Sequence, residues 1–314
     1  MGNEPARVLR TRTILLWGAG LLVVAALAAT LLLSLLGGGR PEDSARLDAL
    51  RTAASIVVGT GGAAALLLAA RRQRSAELDL AQKDHDATER RITEMYGKAA
   101  DQLGSDKAPV RLAGLYALER LAAGHPEHRQ TIVNVFCAYL RMPFNPKKDE
   151  EELQVRKAAQ RILMLHLRPG SAETPSGDFW VDTDLDFSEA TLVGLNLTHC
   201  VIRSIVCYNT RFQELASFRG TEFRTKADFN RARFEGRVDF RGTVFGGDRD
   251  SFNGAFFADA ADFGRKSAAR LAGATAKPGS PRTWPPGWEE QPMNDGTDRV
   301  QLTRKDDPGQ PEGR

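Results

Sequence analysis

The sequence predicts a multi-domain protein: a two-helix transmembrane hairpin, a small all-α helical domain, an all-β solenoid and a disordered C-terminal tail. Three observations lead to this fold class. Two apolar stretches near the N-terminus carry no charged residue, and apolar residues then recur with helical spacing. From Asp184 to Phe263, an apolar residue returns about every five positions. Each pattern predicts a different kind of structure, so the 314 residues divide into several regions.

The two apolar stretches predict membrane helices. Residues 13–36 are long enough to cross a bilayer, whereas the apolar core of a secretory signal peptide, the alternative, is usually shorter. Residues 53–70 are shorter and glycine-rich, and arginines follow them at once. Basic residues flank both outer ends, which places residues 1–12 and the chain after residue 70 in the cytoplasm and residues 37–52 in an external loop. We therefore expect a two-pass protein of the inner membrane, with a homodimer through the membrane helices or the solenoid ends left open.

Helical periodicity predicts four antiparallel helices over residues 75–168. Pro109 lies in the first turn of the second helix, Pro126 starts the third, and the fourth spans about Glu151–Leu167. Short connections between them predict a compact helical domain with its own apolar core. The stretch 110–121 is similar to a HEAT or armadillo helix.

The five-residue period favours neither a helix nor a flat strand, because neither keeps such positions on one buried face. A chain that turns a corner once per five residues does so, with the central residue and the residue two before it pointing inward. Each unit buries little apolar surface alone, so the units must stack. A run of short antiparallel strands is the alternative, but turn dipeptides at hairpin distances are absent. The predicted repeat-core centres are Phe187, Leu192, Leu197, Ile202, Cys207, Phe212, Phe218, Phe223, Phe229, Phe234, Phe240, Phe245, Phe252, Phe257 and Phe263.

Individual units carry a resemblance to a known family. Ala190-Thr191-Leu192-Val193-Gly194 and Ala227-Asp228-Phe229-Asn230-Arg231 resemble the pentapeptide-repeat family. The resemblance implies a right-handed quadrilateral β-helix with one pentapeptide per side, here over residues 178–265. Fifteen centres at four per coil predict a little under four coils. Steps of five and six alternate in the second half, which predicts bulges at the corners.

The two ends of the solenoid need covering, because an end coil exposes apolar side chains. Phe179-Trp180 is predicted to form a lid over the first coil. Beyond the last centre, residues 266–314 are rich in Gly, Pro and charged residues and show no period, so we expect them to be disordered. The segment Trp284-Pro285-Pro286-Gly287-Trp288 is an exception, expected to dock on the protein's own surface or on a partner.

No group of residues points to catalysis, a metal or a cofactor. His125 and His128 lie three apart, not at the four-residue spacing of a helical zinc site. Asp182, Asp184 and Asp186 lack the glycine and the distal glutamate of a calcium loop. The sequence therefore predicts a protein that is not an enzyme and has no catalytic, cofactor-binding or metal-binding residue.

Two interpretations of function follow. In the first, the chain is a membrane-anchored scaffold that presents the solenoid to an unknown cytoplasmic protein, with Arg231, Arg233 and Arg241 as the candidate interaction surface. The second follows from the resemblance, since some pentapeptide-repeat proteins imitate duplex DNA and modulate type II topoisomerases. Such mimicry needs an acidic rod, but residues 203–249 carry ten basic and six acidic side chains. The interleaved acids and the lack of a recognition helix also predict no nucleic-acid partner.

Overall fold

The computed structural model of the chain describes Leu27, Leu31 and residues 43–171, 173–247, 251–293 and 296–305. The chain divides into two compact units, Met1–Asp86 and Ala87–Arg314. The first helix, α1, spans Asp43–Leu103 and so contributes residues to both units.

The predicted transmembrane hairpin is wrong. Among the described residues, no helix is long and apolar enough to cross a membrane. The second predicted span, residues 53–70, is one part of α1, which begins inside the predicted external loop and continues through charged residues 71–91. Three glycines lower the mean hydropathy of this stretch, and helical turns that contain charged residues continue the same helix on both sides. Apart from Leu27 and Leu31, the first predicted span, residues 13–36, lies outside the described residues.

The helical part of the second unit consists of the end of α1 and three shorter helices. Pro126 does not start an α-helix directly, because the residues from Pro126 to His128 form a single 3-10 turn. The helix cores are aliphatic and aromatic, with Leu115, Phe136 and Val155 fully buried. The three helices are α2 (Ala108–Gly124), α3 (Arg129–Arg141) and α4 (Glu150–His166).

Short strands make up the rest of the second unit. Sheet I pairs β1, β3, β6 and β9; sheet II pairs β2, β4, β7, β10 and β12; and sheet III pairs β5, β8, β11 and β13. All these pairs are parallel, and β15 and β14 extend sheet II in antiparallel fashion. The strands are β1 (Asp184–Asp186), β2 (Thr191–Val193), β3 (Val201–Val206), β4 (Arg211–Gln213), β5 (Ala216–Ser217), β6 (Glu222–Asp228), β7 (Arg233–Phe234), β8 (Val238–Asp239), β9 (Val244–Phe245), β10 (Phe256–Phe257), β11 (Ala261–Asp262), β12 (Thr275–Ala276), β13 (Arg282–Thr283), β14 (Trp288–Pro292) and β15 (Val300–Arg304).

The register of sheet II shows that the strands form a β-solenoid. Leu192 pairs with Phe212, Phe212 with Phe234, and Phe234 with Phe257. These residues are every fourth predicted centre, so four successive units complete one coil. Aromatic rings stack between coils, with the centroids of Phe212 and Phe234 4.7 Å apart and their planes 6° from parallel. The five-residue period therefore places a column of apolar side chains along the inside of each side, aliphatic or sulfur-containing from Leu192 to Cys207 and aromatic from Phe212 to the last predicted centre.

The helices cover the first coil. Trp180 is fully buried and stacks on His166 at 4.2 Å between ring centroids, whereas Phe179 is half-buried. The side-chain amide of Gln130 accepts a hydrogen bond from the Asp184 backbone N–H at 2.9 Å and donates one to its carbonyl at 3.0 Å. This amide takes the place that a neighbouring strand would occupy. One apolar core runs continuously from Ile92 to Leu302, so the expectation of separate cores for the helices and the solenoid is wrong.

The predicted disordered tail is also wrong over the described part of residues 266–305. The solenoid continues beyond Phe263, because β12 pairs with β10 and β13 pairs with β11. Leu271 and Ala276 are buried, as are the alanines two residues before each of them. Small side chains in place of Phe hide the period in this coil. Trp284 then packs on the ring of Phe257 at 5.3 Å between centroids, and the β14–β15 hairpin follows.

Candidate interaction surface

The predicted repeat centres fill the inside of the solenoid. All of them are buried except Phe245, which is half-buried next to the exposed Val244. Wherever the structure describes them, the residues two before the centres are buried too, including the threonines Thr210 and Thr221. The hydroxyl of Thr210 donates to the Phe187 carbonyl at 2.6 Å, so even a polar inward side chain is satisfied within the wall. The outward positions are therefore the ones available for contacts with other molecules.

The outward aspartates near the first coil are neutralised by arginines. The Asp184 carboxylate accepts hydrogen bonds from the Nε and Nη2 groups of Arg203, and Asp182 pairs with Arg224 at 3.0 Å. The Arg203 guanidinium lowers the pKa of the Asp184 carboxyl below its ordinary value. Among the described residues, no group of His, Cys, Asp and Glu side chains is arranged to hold a metal ion.

The cysteines in the described structure are buried thiols rather than exposed nucleophiles. Burial raises the pKa of Cys137 and that of Cys200 to about 12. Burial also raises the pKa of Cys207 well above its ordinary value. All three thiols are therefore protonated at neutral pH, which disfavours thiolate chemistry at these positions.

Basic side chains on the outside of sheet I all have acidic partners. Arg203 and Arg224 are paired with aspartates, and the ammonium of Lys226 lies 3.1 Å from the carboxylate of Asp228. The partners lie on the same strand, as Asp228 does for Lys226 and Glu222 does for Arg224 at 3.4 Å, or in an earlier coil. The positive charge on this side of the solenoid is therefore balanced within the chain.

Sheet II carries arginines without such partners. Arg211 of β4 and Arg233 of β7 are directly paired positions on adjacent parallel strands. Neither forms an ion pair with a described residue, and Arg211 is exposed while Arg233 is half-buried. Arg231, at the preceding corner, is exposed and its guanidinium lies 5.6 Å from the ring centre of Tyr208.

An aromatic residue continues this row. Phe256 of β10 pairs in register with Arg233. The Arg233 guanidinium lies 5.2 Å from the Phe256 ring centre, and that of Arg299, just before β15, lies 4.5 Å from it. We call Arg211, Arg231, Arg233, Phe256 and Arg299 the basic strip. None of the four arginines in the basic strip forms an ion pair with a described residue.

The predicted surface residues do not all belong to the strip. Arg231 and Arg233 do, but Arg241 lies in the turn that follows β8 of sheet III, where its guanidinium donates to both oxygens of Asp239 at 2.6 and 2.9 Å. Although burial acts to raise it, these bonds bring the pKa of the Asp239 carboxyl below its ordinary value. Arg241 also lies 3.5 Å from Asp262, so its charge is already compensated.

Sequence reasoning missed Arg211 and Arg299. Arg211 could have been found, because it stands immediately before a centre, as Arg233 does in the unit one coil later. Arg299 had no such signal, since its position depends on the hairpin that folds residues 288–304 back onto sheet II.

Comparison with known proteins gives one match. A family model described as pentapeptide repeats, nine copies, matches residues 208–255. The matched stretch includes strands β4 to β9, the central coils of the solenoid. Neither the curated proteins nor the solved structures contain a significant match to this chain. A β-solenoid that contains such repeats indicates a protein-interaction module.

Proposed function

We propose that this pentapeptide-repeat protein is a non-enzymatic scaffold whose solenoid holds a partner protein on its outer surface. Proteins built from such repeats generally serve as structural or interaction modules. The observation that carries the proposal is the uneven pairing of the outward charges: sheet I is neutralised within the chain and the basic strip of sheet II is not.

The rigidity of the outer surface supports the same function. The backbone N–H of Arg233 donates to the Thr210 carbonyl at 2.8 Å, and the N–H of Phe256 donates to the Ala232 carbonyl at 2.8 Å. Each outward residue is thus held by the coil before it. Because the backbone at these positions is already ordered, binding of a partner costs little conformational entropy in the solenoid.

The test is capture of partners by the full chain, with crosslinking in native lysate, compared among three charge-neutralised variants. Each variant removes two arginines from one sheet, so the three are matched in charge and number. The pairs changed to Gln are Arg203 and Arg224 on sheet I, Arg211 and Arg233 on sheet II, and Arg219 and Arg241 in the turns that follow β5 and β8 of sheet III.

We expect a reproducible set of captured proteins that one variant loses and the other two retain. Capture that is unchanged in all three variants would contradict the proposal, because no outer surface would then determine binding. A supercoiling assay adds a second readout: inhibition of a type II topoisomerase at stoichiometric concentration would favour DNA mimicry instead.

A further inference from the structure

The arrangement of Arg211 and Arg233 is unfavourable for the isolated protein. Arg211 and Arg233 are directly opposed on neighbouring strands, and like charges in such positions are destabilising by up to about 1 kcal/mol. The acids nearest in sequence form no ion pair with either arginine: Glu235 accepts a hydrogen bond from Gln213 at 3.0 Å, and Glu214 lies 3.8 Å from Lys157. Sheet I shows that the same fold readily provides an acid for each base. An anion from outside the chain would neutralise the opposed pair.

The row has the geometry of a linear docking site. Arg211, Arg233 and Phe256 are consecutive in register, so they form a line that crosses the strands. Neighbouring strands are about 4.8 Å apart, and alternate residues of an extended peptide are about 6.8 Å apart. Arginine side chains are long enough to bridge this difference. An extended segment with acidic residues at alternate positions can therefore place successive carboxylates on the two guanidiniums.

Phe256 adds an apolar contact within the row. The guanidinium groups of Arg233 and Arg299 both lie over its ring, at 5.2 and 4.5 Å from the ring centre, within the range of a cation–π interaction. A stacked guanidinium keeps its edge N–H groups available for paired hydrogen bonds to a carboxylate. The strip thus offers oriented donors around an aromatic surface.

We infer that the basic strip binds an acidic, extended segment of the partner protein. This inference rests on the proposed function and names the site and the chemistry of the partner. Nucleic acid fits the surface less well, since the strip is narrow and Glu214 and Glu235 lie beside it. Duplex and single-stranded nucleic acids need basic contacts to many phosphates.

The test uses the full chain and a defined probe: a labelled ten-residue peptide with Glu at alternate positions and Ser between, followed by fluorescence anisotropy. The control probes are the same peptide with Gln for Glu and a ten-nucleotide single-stranded DNA. The variant Arg211→Gln with Arg233→Gln is compared with Arg219→Gln with Arg265→Gln. The control arginines are exposed, lie on the sheet III side and make no ion pair with a described residue.

We expect the Glu peptide to bind more tightly than the Gln peptide, and this binding to weaken as salt is added. Neutralising Arg211 and Arg233 should weaken it about tenfold, against less than about twofold in the control variant. Phe256→Leu should give a smaller loss, because the arginines remain but lose their stacking surface.

Two results would overturn the inference. One is equal loss of peptide binding in the two double variants, and the other is tighter binding of the DNA than of the Glu peptide. The proposed function can survive either result: capture of partners lost only in the sheet I or the sheet III variant would keep the scaffold and remove the strip from it.

Discussion

Sheets I and II of the solenoid share one repeat but differ in the state of their outward charges. On sheet I, Arg203, Arg224 and Lys226 each contact a carboxylate of the same strand or of an earlier coil. On sheet II, Arg211 faces Arg233 across adjacent strands. The difference teaches that the period determines which side chains point outward, whereas their pairing depends on which residue the next coil brings alongside.

The largest expected contrast lies between the inside and the outside of one strand. Phe234 is 1% exposed and stacks on Phe212 and Phe257, so Phe234→Ala should lower the free energy of unfolding by about 3–5 kcal/mol. Arg233→Ala should change it by less than about 0.5 kcal/mol. Urea unfolding measures both. Comparable losses of unfolding free energy would mean that the outer side chains of sheet II also stabilise the fold.

Next in size is removal of one acid from each sheet. Asp184 accepts hydrogen bonds from the Arg203 Nε at 2.8 Å and from the Ser204 hydroxyl at 2.7 Å. Asp184→Asn should therefore lower the free energy of unfolding by about 1 kcal/mol, whereas Glu235→Gln on sheet II should change it by a few tenths. Thermal and urea unfolding should agree. A larger loss for Glu235→Gln would show that sheet II depends on its acid more than sheet I does.

The loss of stability in acid should depend in part on the paired carboxylate Asp184 of sheet I. The pKa of Asp184 is lower in the folded protein than in the unfolded chain, chiefly through its hydrogen bond from Arg203. Its contribution to stability is therefore present above its unfolded pKa and is lost as pH falls through the folded pKa. Asp184→Asn should flatten the loss of stability in acid, and Arg203→Gln should do the same. An unchanged acid profile in both variants would place the acid-sensitive groups elsewhere.

The sequence predicted the inside of the solenoid far better than its surroundings. The centres from Phe187 to Phe263 alternate with small side chains at a fixed offset, so a local pattern determines which residues face inward. Ala269, Leu271 and Ala276 keep that offset but lack the aromatic ring that made the earlier units conspicuous. The period was still present, and composition alone obscured it.

The predictions of the helices and of the interaction surface failed where the structure depends on residues outside the local pattern. Absence of charge in residues 53–70 suggested a separate membrane span, yet the helix of which they are part extends from Asp43 to Leu103. Arg241 points outward like other arginines, but Asp239 at the end of β8 and Asp262 in the next coil neutralise it. Arg299 joins the strip only because the hairpin folds back. Such contacts depend on the tertiary structure and leave no local signal.

The central claim is that sheet I is electrostatically satisfied and the basic strip is not. A double-mutant cycle in urea unfolding tests it directly, with Arg211→Gln, Arg233→Gln and the double variant, beside a matched cycle on Arg203 and Asp184. We expect a repulsive coupling of less than about 0.5 kcal/mol for Arg211 with Arg233 and an attractive coupling of up to about 1 kcal/mol for Arg203 with Asp184. A favourable coupling between Arg211 and Arg233, or none, would show that the strip is already compensated within the chain and would contradict the account.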